Sequence, residues 1–143
     1  MLKEWFKIEN PKSLSGGVLA YLGDAVFEVV ARNFLISLGI QDIGLLNRYA
    51  VEFVKASSQS NAVEQILPLL SPEEESMFKR GRNASGISAP KSASVVQYRR
   101  ATGLEALIGY LYLCGENQRI FELFEIAYEK LMQDILTGQE TSL

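Results

Sequence analysis

The chain has 143 residues, 48% of them hydrophobic, enough to bury one core and too apolar for wholesale disorder. It contains no histidine, which removes Ser–His and Cys–His catalysis, histidine-ligated zinc and the commonest general base, and leaves carboxylates or a carboxylate-bound metal for any enzymatic role. The net charge of −3 argues only weakly against a nucleic-acid partner.

The N-terminal stretch MLKEWFKIENPKS mixes charges with apolar residues and lacks a small-residue cleavage site, so it does not read as a secretory signal. From about Ser15 to Leu38, Val18, Leu19, Leu22, Val26, Val29 and Asn33 fall on one helical stripe, and Gly39 stops the run. Asp24, Glu28 and Arg32 interrupt this segment. No apolar run therefore reaches the roughly 18 residues of a membrane span, and no membrane association is expected. A second helix is predicted over Asp42 to Ser57, with Leu45, Leu46, Tyr49, Val51, Phe53 and Val54 as its apolar surface. A third is predicted over Ser58 to Leu70, bent or ended near Pro68.

SPEEESMFKRG reads as a short helix with Ser71 as N-cap, Pro72 in the first turn, Glu74 completing a capping box and Gly81 as terminator. RNASGISAPKSAS lacks periodicity and reads as an exposed loop. A helix follows from Val95 to Cys114, ended by GEN. The last runs from about Gln118 to Leu136, with Ile120, Leu123, Phe124, Ala127, Leu131 and Ile135 inward. No segment alternates as a strand would. The predicted class is all-α, one domain over residues 1–143. The single cysteine, Cys114, cannot form an internal disulfide; its apolar flanks predict a buried thiol, and a reducing cytoplasm fits best.

Two acids stand out. Gly23 and Asp24 are a fault within an otherwise strong helix, since glycine there costs about 1 kcal/mol relative to alanine. At about 100° per residue Asp24 lies opposite Leu22, Val26 and Val29, on a side shared with Gly17, Ala20, Phe27, Glu28 and Ala31. Glu105 repeats the arrangement, with Ala101 and Thr102 one turn before it and Gly109 one turn after. Small neighbours let two helices approach closely, or leave room for a metal ion and a substrate backbone. The bland alternative is helix-packing glycines with two solvated acids, and periodicity alone does not choose.

Between Lys79 and Arg100 the chain carries Lys79, Arg80, Arg82, Lys91, Arg99 and Arg100 and no acid, whereas the remainder has eight basic against seventeen acidic residues. An acidic body with one basic segment suggests a local anion-binding surface, a solvated basic loop being the alternative.

These residues also carry a resemblance. LAYLGDAVFEVVARNFL resembles the helix motif of ribonuclease III catalytic domains whose aspartate binds metal, and GLEALIGYLYL resembles that family's glutamate–alanine helix, about eighty residues later. RGRNA, PK and YRRATGLEALIGYLYL are closer to the Mini-ribonuclease III branch. Where larger members of the family have further acids, this chain has Gly17, Ala20 and Thr102, so only Asp24 and Glu105 remain, as in the Mini branch.

The resemblance implies a ribonuclease III-like helical bundle without a double-stranded-RNA-binding domain. It implies a metal-dependent endoribonuclease that cuts both strands of duplex RNA and leaves 5′-phosphate ends, associated with maturation of 23S ribosomal RNA. Asp24 and Glu105 would be the catalytic metal ligands for Mg²⁺, with Mn²⁺ as a substitute, and Glu28 at most an outer partner. A homodimer is implied, with Tyr21 at its interface unless it is a core residue. Lys79, Arg80, Arg82, Lys91, Arg99 and Arg100 are the candidates for RNA contact, Arg99 being the one whose charge could equally serve an internal ion pair. A ribosomal-protein helper is a further implied partner. The competing expectations are a non-catalytic RNA-binding or ribosome-assembly factor on the same fold, and a protein-binding helical module.

Overall fold

The structure, a computed structural model, describes residues 6–84 and 94–141, with side chains described as far as residue 138. Among these residues there are seven α-helices and no strand: α1 Gly16–Ser37, α2 Ile43–Val54, α3 Ala56–Ile66, α4 Pro72–Arg82, α5 Val95–Leu113, α6 Asn117–Ala127 and α7 Glu129–Thr141. Two 3₁₀ turns, Pro11–Ser13 and Leu67–Leu69, complete the order. The all-α class holds, and no described helix is long and apolar enough to cross a membrane.

Helix α5 is the axis of the bundle. It packs against α1, α3, α4 and α6, and from Ala101 to Leu111 only Glu105 is not fully buried. A helix enclosed on every side has no polar face, and hence no amphipathic stripe in its sequence.

Local chemistry sets most helix ends where the sequence puts them. The Ser71 hydroxyl accepts from the Glu74 amide at 3.1 Å while the Glu74 carboxylate accepts from the Ser71 amide at 2.9 Å, so the capping box is complete. Ser15, Asp42 and Ser94 cap α1, α2 and α5 through their side chains. Gly39 and Gly115 turn the chain at positive φ after α1 and α5.

Several expectations are corrected. The second and third helices meet at Lys55, whose extended ψ of 145° ends α2 and begins α3, earlier than the Ser57–Ser58 boundary predicted. Helix α4 runs through Gly81 to Arg82 and Asn83 caps it; Gly81 is instead a packing position, since a β-carbon there would fall 2.4 Å from that of Ala106 on α5. The last helix is two helices. Tyr128 leaves helical geometry and donates its hydroxyl to the Phe53 carbonyl at 3.0 Å, supplying one of the unpaired carbonyls at the end of α2. Its ring closes a cluster with Phe27, Phe53 and Phe124, the last pair stacked at 5.5 Å. Cys114 is exposed, not buried, because α5 ends there and the chain turns outward.

The face of α1 is also corrected. Leu19, Ala20, Gly23, Phe27, Val30, Ala31 and Leu35 are buried, while Val18 and Val29 of the predicted inner stripe are exposed. Tyr21, 85% exposed, and Ile36 join them on the outside, so Tyr21 is not a core residue of the chain. The inward face is the one that holds the small residues and borders Asp24.

Candidate active site

The fault in α1 is where two backbones touch. A β-carbon at Gly23 would sit 1.7 Å from the Glu105 carbonyl oxygen, and one at Gly109 would sit 2.1 Å from that of Leu19. Neither separation is possible for real atoms, so glycine at both positions is the condition for α1 and α5 to cross this closely. The contact brings the residue after Gly23 to the side of Glu105. Asp24 lies at the exposed edge of the crossing and Glu105 is partly buried within it.

The electrostatics follow from that geometry. Burial does most to push the Glu105 carboxyl up to about 9; hydrogen bonding with Asp24, the Asp24 charge and then the Glu28 charge add to it. Glu28 itself lies 3.6 Å from Arg32 in an exposed pair. Burial, followed by the charge of Glu105, raises the Tyr128 phenol and keeps it neutral. Two carboxyls held together, neither of them in an ion pair among the described residues, form a site that favours a proton or a metal between them.

The donor set suits a hard cation. Among the described residues no group of three or more His, Cys, Asp or Glu side chains converges on one point. Two carboxylates are nevertheless what Mg²⁺ commonly takes from a protein, its remaining positions being filled by water and substrate phosphates. A larger cavity of about 580 Å³ opens between α3 and the α6–α7 break, lined in part by Ser58, Asn61, Tyr128 and Glu129, and contains neither acid.

The basic segment is divided by its contacts. Lys79 pairs with Glu75 at 3.0 Å along α4. Arg80 donates to the carbonyls of Lys12 and Leu14 and so pins the N-terminal segment. Arg100 pairs with Glu64 at 2.9 Å and approaches the Ser60 hydroxyl at 3.4 Å. Arg82 lies over the Phe78 ring at 5.9 Å. Arg99 is exposed and forms no ion pair among the described residues, so the internal ion pair considered for Arg99 belongs to its neighbour Arg100. Lys91 lies outside the described residues. Tyr98, not singled out in the sequence, lines a small cavity with Arg82 and Arg99; no periodicity could mark it, because the cavity forms between α4 and α5.

Comparison with known proteins identifies the family. The description of the ribonuclease III domain matches residues 17–116, which include both acids and the glycines that join them. The chain belongs to the ribonuclease III family. Its relatives place it in the Mini-ribonuclease III branch. It is 40% identical to the Mini-ribonuclease 3 of Symbiobacterium thermophilum, over 85% of this chain and 93% of that one. It is 42% identical to that of Enterococcus faecalis, over 84% and 92%. The fold matches a crystal structure of a Fusobacterium nucleatum protein with a TM-score of 0.74 at 34% identity, covering 80% of this chain and 88% of that one. Membership of the ribonuclease III family makes the protein a ribonuclease, and the Asp24–Glu105 crossing is its candidate catalytic centre.

Proposed function

We propose that the protein is a Mg²⁺-dependent endoribonuclease of double-stranded RNA, with Mn²⁺ able to substitute, acting as a homodimer. The observation that carries this reading is the Gly23–Gly109 contact, which brings two carboxyls together at the edge of a rigid helix crossing. When bound there, Mg²⁺ supplies positive charge for the phosphodiester and a water of lowered pKa. Asp24 and Glu105 would hold it. Asp24 is exposed and Glu105 partly buried, so a substrate phosphate would meet the metal from the Asp24 side. The proton that burial keeps on Glu105 in the free protein must leave before both of its oxygens can serve as ligands, so loading the site releases a proton. Hydrolysis in line with the 3′ oxygen leaves 5′-phosphate ends.

The exposed apolar residues Val18, Tyr21, Val29 and Ile36 on α1 support a two-fold dimer through that helix. Such a dimer would present one Asp24–Glu105 site to each antiparallel strand. Action on a 23S ribosomal RNA precursor in the cytoplasm, with a ribosomal-protein helper, is supported by kinship with the Mini-ribonuclease III branch.

Incubation of the chain with duplex RNA and Mg²⁺ tests the proposal. Asp24→Asn and Glu105→Gln keep shape and remove charge, so each should lower cleavage by at least two decades, about 2.7 kcal/mol of barrier, while the helical dimer stays folded. Cleavage at a tenth of the parent rate would show that the acid is not essential. Binding without cleavage by the parent chain would favour a non-catalytic RNA-binding factor. A heterodimer with one Asp24→Asn subunit should nick duplex RNA, resolved on native and denaturing gels; double-strand breaks in a single binding event would overturn the one-site-per-strand arrangement.

A further inference from the structure

Of the described basic residues between Lys79 and Arg100, packing leaves two placed to share one ligand. A cavity of about 130 Å³ opens between the end of α4 and the start of α5, lined by Gly81, Arg82, Val95, Tyr98, Arg99 and Thr102. Arg82 is half-buried, with its guanidinium laid over the Phe78 ring and its Nε donating to the Asn83 side chain at 3.2 Å. That support fixes the plane of the fork, and no described residue accepts from its Nη groups. Arg99 reaches the same cavity from the next helix with its guanidinium unpaired among the described residues. The other described cations of this segment are committed: Lys79 to Glu75, Arg80 to two backbone carbonyls, Arg100 to Glu64.

We propose that Arg82 and Arg99 clamp a single backbone phosphate of the bound RNA, with Tyr98 as the wall of the subsite. The cavity has room for a phosphate group between the two guanidiniums. Guanidinium forks match phosphate oxygens bidentately, and one already stacked on an aromatic ring loses little freedom on binding. Arg99 stands six residues before Glu105 on the same helix, about 9 Å along the axis at 1.5 Å per residue. At 100° per residue it also lies about 120° around α5 from Glu105, so the clamped phosphate is a different one from the phosphate at the acids, and holding it limits how the strand can slide over them. This deepens the duplex-RNA reading and rests on it.

The test measures duplex affinity against salt in the full-length Asp24→Asn chain, so that the RNA is not consumed. Arg82→Ala with Arg99→Ala should weaken binding roughly 10-fold and reduce the salt slope by about one unit, the loss of one phosphate contact. Lys79→Ala and Arg100→Ala should leave the slope unchanged. Arg99→Lys should restore the slope and only part of the affinity, because the charge returns without the fork. Neutral methylphosphonate linkages placed one at a time should identify a single position that weakens the parent chain and not the double variant. An unchanged slope in the double variant, or no such position, would overturn the clamp while leaving the duplex reading intact. No salt-sensitive duplex binding by the parent chain would overturn the duplex reading itself.

Discussion

The α1–α5 crossing and the α4–α5 corner lie along one helix and are built on opposite principles. At the crossing, backbone meets backbone at Gly23 and Gly109, and two acids are held beside each other at an electrostatic cost. At the corner, long cationic side chains choose among local partners, and the cavity they leave is small. The crossing fixes position, and the corner distributes charge. A site that must hold a metal to within fractions of an ångström belongs in the first kind of structure. One that grips a phosphate backbone can use the second, since phosphate contacts tolerate adjustment.

The largest expected effect that separates the two regions comes from adding one methyl group at the crossing. Gly23→Ala would place its β-carbon 1.7 Å from the Glu105 carbonyl oxygen, a backbone atom that cannot rotate away. The helices must move apart, at about 3 kcal/mol or more by the usual cost of overpacking, and cleavage should fall with the separation of the acids. Gly17→Ala is the matched control. Nothing lies within 4 Å of its β-carbon, so the better helix propensity should be neutral or stabilising by up to ~1 kcal/mol. Thermal melts and cleavage rates of the two variants check this; equal behaviour would mean that the crossing is not rigid.

A smaller effect tests the electrostatic cost at the same place. In the metal-free protein Glu105 keeps its proton up to about 9, against an ordinary value of 4.5 in the unfolded chain. Between those limits the folded state binds the extra proton. Stability is therefore greatest below 4.5 as far as this group is concerned, and declines as pH rises towards 9, by at most about 1.4 kcal/mol per pH unit. Glu74 acts in the opposite sense. Hydrogen bonding from Arg119 holds its carboxyl below the ordinary value, so its contribution is lost only as pH falls below that range. Melting temperatures between pH 6 and 8.5 should thus fall for the parent chain in chelator and stay flat for Glu105→Gln. A flat parent curve would show that Glu105 ionises freely in the empty site.

These two regions also differ in how much of them the sequence discloses. The crossing is legible only in part: its residue types, a glycine near an acid on each of two helices with small residues around them, mark the place, but they do not say whether the space is closed by a second helix or left open. The inward face of α1 was not legible, because Val18 and Val29 make as good an apolar stripe as any core, and hydrophobicity does not say whether a stripe is covered by this chain. Helix α4 was legible from Ser71 and Glu74 because a capping box closes within four residues. The break at Tyr128 depends on a carbonyl 75 residues away, and no local pattern contains it. At the corner, six basic residues without an acid marked a surface, but their spacing did not distinguish a pinned Arg80 from an unpaired Arg99.

The smallest effect is a comparison of neighbours. Lys79 and Arg80 are adjacent, carry the same charge and would count equally in any sequence tally. Lys79 holds an exposed i, i+4 pair with Glu75 on α4, worth about 0.3–0.5 kcal/mol. Arg80 spans from α4 to the carbonyls of Lys12 and Leu14, where charge-assisted bonds are each worth about 1.5–3 kcal/mol, less what solvent recovers at a half-exposed site. Lys79→Ala should therefore cost no more than ~0.5 kcal/mol in urea unfolding. Arg80→Ala should cost about 1–2 kcal/mol and expose the segment before α1 to proteolysis, without the loss of salt slope expected of a phosphate ligand. If Arg80→Ala left stability unchanged and flattened the salt dependence of RNA binding, Arg80 would belong with Arg82 and Arg99, and the division of the corner into committed and free cations would be wrong.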